Sequence, residues 1–348
     1  MENLKAASRR APRPERRQAM STATYEFCPS PLPVTRREFA GTSLQSTALA
    51  HTLRRTVRPF LDGWARYPEL PWPTGVVDLF GYSLGPIRGT VRRPIRLPHC
   101  RAEWIRPPGA LGDRAILYLH GGAFLCCGIN SHRQMVSRIS AESQASTLNV
   151  AYRMIPRNPI RAAVEDGVDG YRWLLSHGYT ADRIVIAGDS AGGFLTFMVT
   201  LEALRQGLPR PAADVALSPL TDLDPVNKLA HPNADLCAVF PKRAVGALSR
   251  LIERLDTRGG HEPSTSPVDG SLASMPPALI QTGSQEMVYV DAELMSERLS
   301  QAGVPCELQV WERQVHVFQA AAGLLPEGTR AIREIGRFIR KATPVSTS

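Results

Sequence analysis

From about Gly75 onward, the apolar residues of this chain follow two alternating patterns. Short uninterrupted runs at Arg114–Leu119, Leu148–Tyr152, Arg183–Ala187, Asp214–Leu217, Ala278–Thr282 and Glu307–Trp311 read as strands buried on both faces. Between them apolar positions return every three to four residues. Val164, Val168, Tyr171 and Leu175 share a face over Ala162–Ser176, and Phe194, Phe197, Met198 and Leu201 share another. Strands alternating with helices predict an α/β fold with a mostly parallel central sheet and helices on both faces.

Upstream, Leu49, Leu53, Val57, Phe60, Leu61 and Trp64 recur at near-helical spacing, and Pro59 is predicted to kink or restart that helix. Thr35-Arg36-Arg37-Glu38-Phe39 has the form of a twin-arginine export signal, but residues 40–50 carry Gly, Thr, Ser and Gln and make a poor apolar region. The amphipathic helix is the preferred reading of this stretch, with export as the alternative. Residues 1–33 are rich in Arg, Pro, Ser and Ala without apolar periodicity, which predicts a disordered basic tail.

Composition narrows the class without naming a function. At 43% hydrophobic and 21% charged residues, the 348-residue chain is neither wholly disordered nor fibrous. No apolar run approaches the ~18 residues of a membrane span. The net charge of +9 is concentrated at one end: residues 1–66 hold 12 basic and 5 acidic residues, a net of +7. The tail arginines thus suggest peripheral contact with an anionic membrane surface, while the main body gives no reason to expect nucleic-acid binding. The six cysteines form no CxxC pair, so neither a disulfide framework nor a metal site is predicted, and a cytoplasmic location is preferred.

The chemistry is carried by motifs at strand ends. Arg183–Ala187 runs into Gly188-Asp189-Ser190-Ala191-Gly192-Gly193 and then into a helix. A strand–turn–helix of this composition lifts a serine hydroxyl above the carboxyl edge of a sheet, at the positive end of a helix. Arg114–Leu119 leads into His120-Gly121-Gly122-Ala123-Phe124, where glycines let backbone N–H groups approach a developing oxyanion. The predicted donors are the amides of Gly121, Gly122 and Ala191, with His120 orienting the loop. A serine needs a base, and the base needs a carboxylate. Of the eight histidines only His316 follows a late strand; His51, His99, His132, His177, His231 and His261 fall in tail, loop or helix-end contexts. Glu286, just past Ala278–Thr282, is the preferred acid, with Asp291 as runner-up. The order Ser190, Glu286, His316 is that of α/β-hydrolases.

Over about Gly75–Lys341 the chain resembles the hormone-sensitive-lipase-like branch of the α/β-hydrolases, in particular bacterial carboxylesterases of actinobacterial type. His120–Phe124 and Gly188–Gly193 are its most specific marks. Tyr152-Arg153-Met154-Ile155-Pro156, Glu165-Asp166 and Ser218-Pro219-Leu220-Thr221-Asp222 support it. Three positions depart from the pattern: Ala123 replaces a third loop glycine, Glu286-Met287-Val288 replaces Asp-Pro-Leu, and Arg157 follows Pro156 where the family has Glu. The resemblance implies a helical cap from an N-terminal segment (34–74) and an insertion (about 222–270) within a catalytic domain over 75–342. It also implies cofactor-independent hydrolysis of short- to medium-chain esters. Alternatives are a lipase- or phospholipase-like activity on longer chains and a ligand-binding member without catalysis; His316, the base, argues for an enzyme.

Overall fold

In the computed structural model, the described residues are 30–344 apart from 71 and 260–262. Most of the predicted tail, His261 and Cys28 therefore lie outside the described residues. The strands are β1 (Thr35–Phe39), β2 (Val91–Arg96), β3 (Arg101–Arg106), β4 (Ala115–Leu119), β5 (Ser146–Ala151), β6 (Ile184–Asp189), β7 (Ala213–Leu217), β8 (Ala278–Gly283) and β9 (Cys306–Trp311). The helices are α1 (Leu44–Arg55), α2 (Val57–Arg66), α3 (Gly75–Gly81), α4 (Ile129–Glu142), α5 (Ile160–Ser176), α6 (Ala191–Arg205), α7 (Val226–Ala230), α8 (Asn233–Leu236), α9 (Lys242–Arg258), α10 (Tyr289–Gln301) and α11 (Pro326–Ala342).

One sheet runs in the order β1-β9-β8-β7-β6-β4-β5-β3-β2. Only the β2–β3 and β3–β5 pairs are antiparallel. The apolar runs read from the sequence become β4 to β9, and every residue of β4, β6, β7 and β8 is buried. Helices α4 and α11 cover one face through Met135, Val136, Ile139, Ile332, Ile335 and Ile339. Helices α5 and α6 cover the other through Val164, Val168, Phe194 and Leu195. The chain order reverses around β4, which lies between β5 and β6; in open parallel sheets, the crevice above such a reversal is where ligands bind.

The apolar stripe at 49–64 divides. The helix stops at Thr56 and restarts, with Pro59 in the first turn of α2, where a missing N–H is harmless. Leu49 and Leu53 then pack near Trp311, while Leu61 and Trp64 join the core cluster under the cavity described below.

The segment before these helices is a strand, which the helical reading of 34–74 did not contain. β1 pairs parallel with β9. Arg36 meets Glu293 (2.8 Å) and Tyr289 (2.9 Å). Arg37 meets Glu307 (2.9 Å) and Glu334 (2.6 Å). The two arginines thus fasten β1 to α10, β9 and α11. Phe39, 4% exposed, stacks on Trp311 with centroids 4.0 Å apart and planes at 7°. Replacing it by alanine leaves a void against the last strand before His316. Phe39→Ala is expected to lower unfolding free energy by about 3 kcal/mol, measured by urea denaturation.

Candidate active site

β6 ends at Asp189, and the chain turns into α6 through Ser190, whose φ of 53° is left-handed. The turn packs directly on the end of β4: a Cβ at Gly188 or Gly192 would strike the Leu119 carbonyl. The Ser190 N–H donates to Leu217 O at 2.9 Å, which ties the turn to the end of β7 as well.

His316 stands in the loop after β9. Its Nε2 lies 2.8 Å from Ser190 Oγ, and its Nδ1 lies 2.7 Å from Glu286 Oε2. An ionised carboxylate only accepts, so Nδ1 carries the proton and Nε2 is left to accept from the serine hydroxyl. Glu286 Oε1 accepts from Ser218 Oγ at 2.8 Å and from the Gly283 N–H at 2.5 Å. Ser218 Oγ also accepts the Val317 N–H at 3.1 Å, so one hydroxyl holds both the acid and the loop of the base. Asn233 steadies the same loop by donating to the carbonyls of Ser284 and Glu286, each at 3.0 Å.

Asp291 is buried and already committed. It accepts from the Thr221 and Asp222 amides at 2.8 and 3.0 Å and pairs with the buried Lys228 ammonium at 3.1 Å. It fastens α10 to the chain leaving β7 and does not reach His316. The sequence preference for Glu286 over Asp291 matches this geometry.

One predicted donor is corrected. The Gly121 N–H donates to Asp189 Oδ1 at 3.1 Å and points away from the cavity, whose lining does not include Gly121. Gly122, Ala123 and Ala191 do line it beside Ser190. Among the described residues their amides have no hydrogen-bond partner. The loop is rotated by the Asp189 carboxylate, so the free pair starts one residue later than expected. Ala123 takes up this position at φ 55° despite its Cβ.

The Asp189 network is the part that sequence reading missed. Its carboxylate accepts from Tyr118 OH at 2.8 Å and faces His132 Nε2 at 3.2 Å. Burial alone would raise this acid, but the His132 charge and the hydrogen bonds from His132 and Tyr118 hold it below the ordinary value. Burial likewise opposes the charge on His132, yet Asp189 raises it to about 9. His120, buried beside that cation, is lowered to about 4. Neutral His120 donates from Nδ1 to Gly121 O at 2.7 Å and stacks on Tyr152 at 4.2 Å, the loop-orienting part read for it. His132 lies one turn into α4, and the sequence set it only among the histidines in tail, loop or helix-end contexts.

Above the serine is an apolar cavity with about 1090 Å³ of atom-free space, part of it open to solvent. Phe60, Trp64 and Trp72 wall one side, and Leu248 and Ile252 of α9 the other. Phe240 also lines it and meets the His316 ring edge-on at 4.7 Å. Phe124 and Phe318, by contrast, are core: Phe124 packs edge-on against Phe194, and Phe318 packs tilted against Trp311.

A strand-borne serine on a left-handed turn, with an imidazole and a buried carboxylate in line behind it, defines a serine hydrolase of the α/β-hydrolase class. Residues 116–320 match a family described as having the alpha/beta hydrolase fold. Esterase LipU of Mycobacterium tuberculosis is 43% identical over 295 residues, spanning 82% of this chain and 99% of LipU. LipF of the same organism, a carboxylesterase/phospholipase, is 39% identical over 88% of this chain and 84% of its own. The crystal structure of an esterase from the bacterial hormone-sensitive lipase family is 33% identical, with a TM-score of 0.76, covering 87% of this chain and 100% of that one. The chain belongs to the hormone-sensitive-lipase-like family of α/β-hydrolases and is a carboxylic ester hydrolase.

The His132–Asp189 pair has a pH signature. A histidine raised from 6.5 to about 9 adds stability that is complete below about pH 6.5 and is lost as pH rises through about 9. Melting temperature should therefore fall across that window more steeply in the native enzyme than in His132→Gln, as differential scanning fluorimetry would read.

Proposed function

We propose that Ser190 attacks the carbonyl of a short- to medium-chain ester while His316 Nε2 takes its proton. Glu286 fixes the histidine tautomer and steadies the imidazolium. The tetrahedral oxyanion is held by the N–H groups of Gly122, Ala123 and Ala191. His316 then protonates the leaving alcohol and activates the water that releases the acid from Ser190. The observation that carries this reading is the Ser190–His316–Glu286 line at 2.8 and 2.7 Å, at the floor of the apolar cavity and beside three free amides.

The walls support the shorter chain lengths: the cavity between α2 and α9 is narrowed by the bulky side chains of Phe60, Trp64, Trp72 and Phe240, which suits a compact acyl group. In support, EstE5, 33% identical, has been soaked with p-nitrophenyl butyrate in the crystal, and a 39% identical relative from Streptomyces hygroscopicus is an acetyl-hydrolase. The second reading, a phospholipase-like activity, is favoured by the name of LipF and by the exposure of Phe60 at the cavity mouth. Cytoplasmic residence remains our reading; it is supported by the structural use of Arg36 and Arg37 in β1 and by the free described cysteines.

Turnover of p-nitrophenyl esters should be fastest on butyrate or hexanoate and low on palmitate; a maximum on palmitate would favour the second reading. Ser190→Ala should lose about 10⁴–10⁶ in kcat. Glu286→Gln should lose about 10⁴ in kcat with a native melting curve, because it frees the wrong histidine tautomer. Asp291→Asn should instead cost about 3 kcal/mol in urea unfolding, because it leaves Lys228 buried without its counter-charge.

A further inference from the structure

Cys126 and Cys127 take no part in the steps above, yet they stand in the loop that carries two of the oxyanion amides. Cys126 lines the cavity beside Gly122 and Ser190. Its N–H and its Sγ both lie on the Gly122 carbonyl, at 3.0 and 3.4 Å. Cys127 backs the same glycine: a side chain at Gly122 would come within 3.0 Å of Cys127 Cβ. The Cys127 backbone is left-handed, with φ 66°. The two sulfurs are 3.8 Å apart, against about 2.05 Å for a bonded pair. Both residues are partly exposed, whereas Cys100, Cys237 and Cys306 are buried. The hydrogen bond between the two thiols lowers Cys126 and raises Cys127, which burial raises further. Cys126, which lines the cavity where Cys127 does not, is the sulfur that a molecule in the cavity meets first.

We propose that Cys126 and Cys127 form a dithiol modification site, which an alkyl hydroperoxide entering the apolar cavity converts to a vicinal disulfide that reversibly shuts off hydrolysis. Cys126 Sγ attacks the terminal peroxide oxygen. The O–O bond breaks, the alkoxide takes the Cys126 proton and leaves as an alcohol, and Cys126 carries a sulfenic acid. Cys127 Sγ then attacks Cys126 Sγ. The S–S bond forms, the S–O bond breaks, and the hydroxide leaves as water with the Cys127 proton. Two thiols are oxidised by two electrons and one peroxide is reduced by two. Closing the ring draws the sulfurs together within one dipeptide, so the backbone of residues 126–127 must turn. That backbone holds the Gly122 carbonyl, and with it the direction of the Gly122 and Ala123 amides. The loss of turnover rests on the oxyanion role proposed for those amides; the reaction of the pair does not.

The test treats the full chain with tert-butyl hydroperoxide and follows p-nitrophenyl butyrate hydrolysis together with the mass of the tryptic peptide spanning 115–133, which holds these two cysteines and no other. The expected result is a fall in kcat of about tenfold or more, matched in dose to a peptide lighter by two hydrogens, with both reversed by dithiothreitol. Cys127→Ser should keep the untreated activity and show no dithiothreitol-reversible loss through an intrachain bond. Inactivation while the peptide keeps both thiols would overturn the site. So would a link to Cys28 or to a second molecule, or equal reversible inactivation of Cys127→Ser. Formation of the disulfide with unchanged kcat would overturn its coupling to the loop. Absence of hydrolysis in the untreated enzyme would instead count against the esterase mechanism, since the mass change is read independently of turnover.

Discussion

The 2.8 Å contact between Ser190 Oγ and His316 Nε2 joins side chains 126 residues apart, and the rest of the site is arranged around keeping it. It exists because β6, β7, β8 and β9 are parallel neighbours whose ends lie at one edge of the sheet. The serine rises from the end of β6, Ser218 from β7, Glu286 from β8 and His316 from β9. Three of these loops reach inward by leaving ordinary backbone space: Ser190, Ser218 and Val317 have positive φ, as do Ala123 and Phe124 in the loop after β4. Conformations of this kind cost of order 1–3 kcal/mol each and persist only where packing and hydrogen bonds over-determine them. The buried strands and the bonds to Ser218, Gly283 and Leu217 supply that restraint.

A second constraint operates one layer below. Asp189, next to the nucleophile, holds the loop after β4 through the Gly121 amide, the sheet through Tyr118 and α4 through His132. Moving the nucleophile therefore moves the oxyanion donors with it. The charges are buried, so each side of the pair is expensive without the other. Arg153 performs a comparable task farther out, with its backbone and guanidinium both on the buried Asp166. This gives a physical reason for the Tyr-Arg and Glu-Asp marks by which the chain resembles its relatives.

Much of this was legible in the sequence because it rests on local pattern. Uninterrupted β-branched runs identify strands buried on both faces, and the run into Gly188 marks Ser190 without reference to anything distant. His316 and Glu286 were legible because strand-end position limits which residues can meet above a parallel sheet. What stayed hidden depends on direction in space. That the Gly121 amide turns away and Ala123 takes its place follows from where the Asp189 carboxylate sits. His132 is one polar residue on an amphipathic helix until α4 is laid against β4. β1 was illegible for another reason: it is short, arginine-rich and at an edge, so it carries no buried alternation, and its two arginines also fit the form of an export signal. β2 (Val-Arg-Arg-Pro-Ile-Arg) hides in the same way, with one residue of six better than exposed.

The account is tested most directly by a crystal structure of the enzyme after reaction with an alkyl fluorophosphonate. It predicts a covalent bond from phosphorus to Ser190 Oγ, His316 still on Glu286, and the phosphoryl oxygen within hydrogen-bond reach of the Gly122, Ala123 and Ala191 amides. Phosphorus on any other side chain, or a phosphoryl oxygen turned to the Gly121 amide, would contradict it.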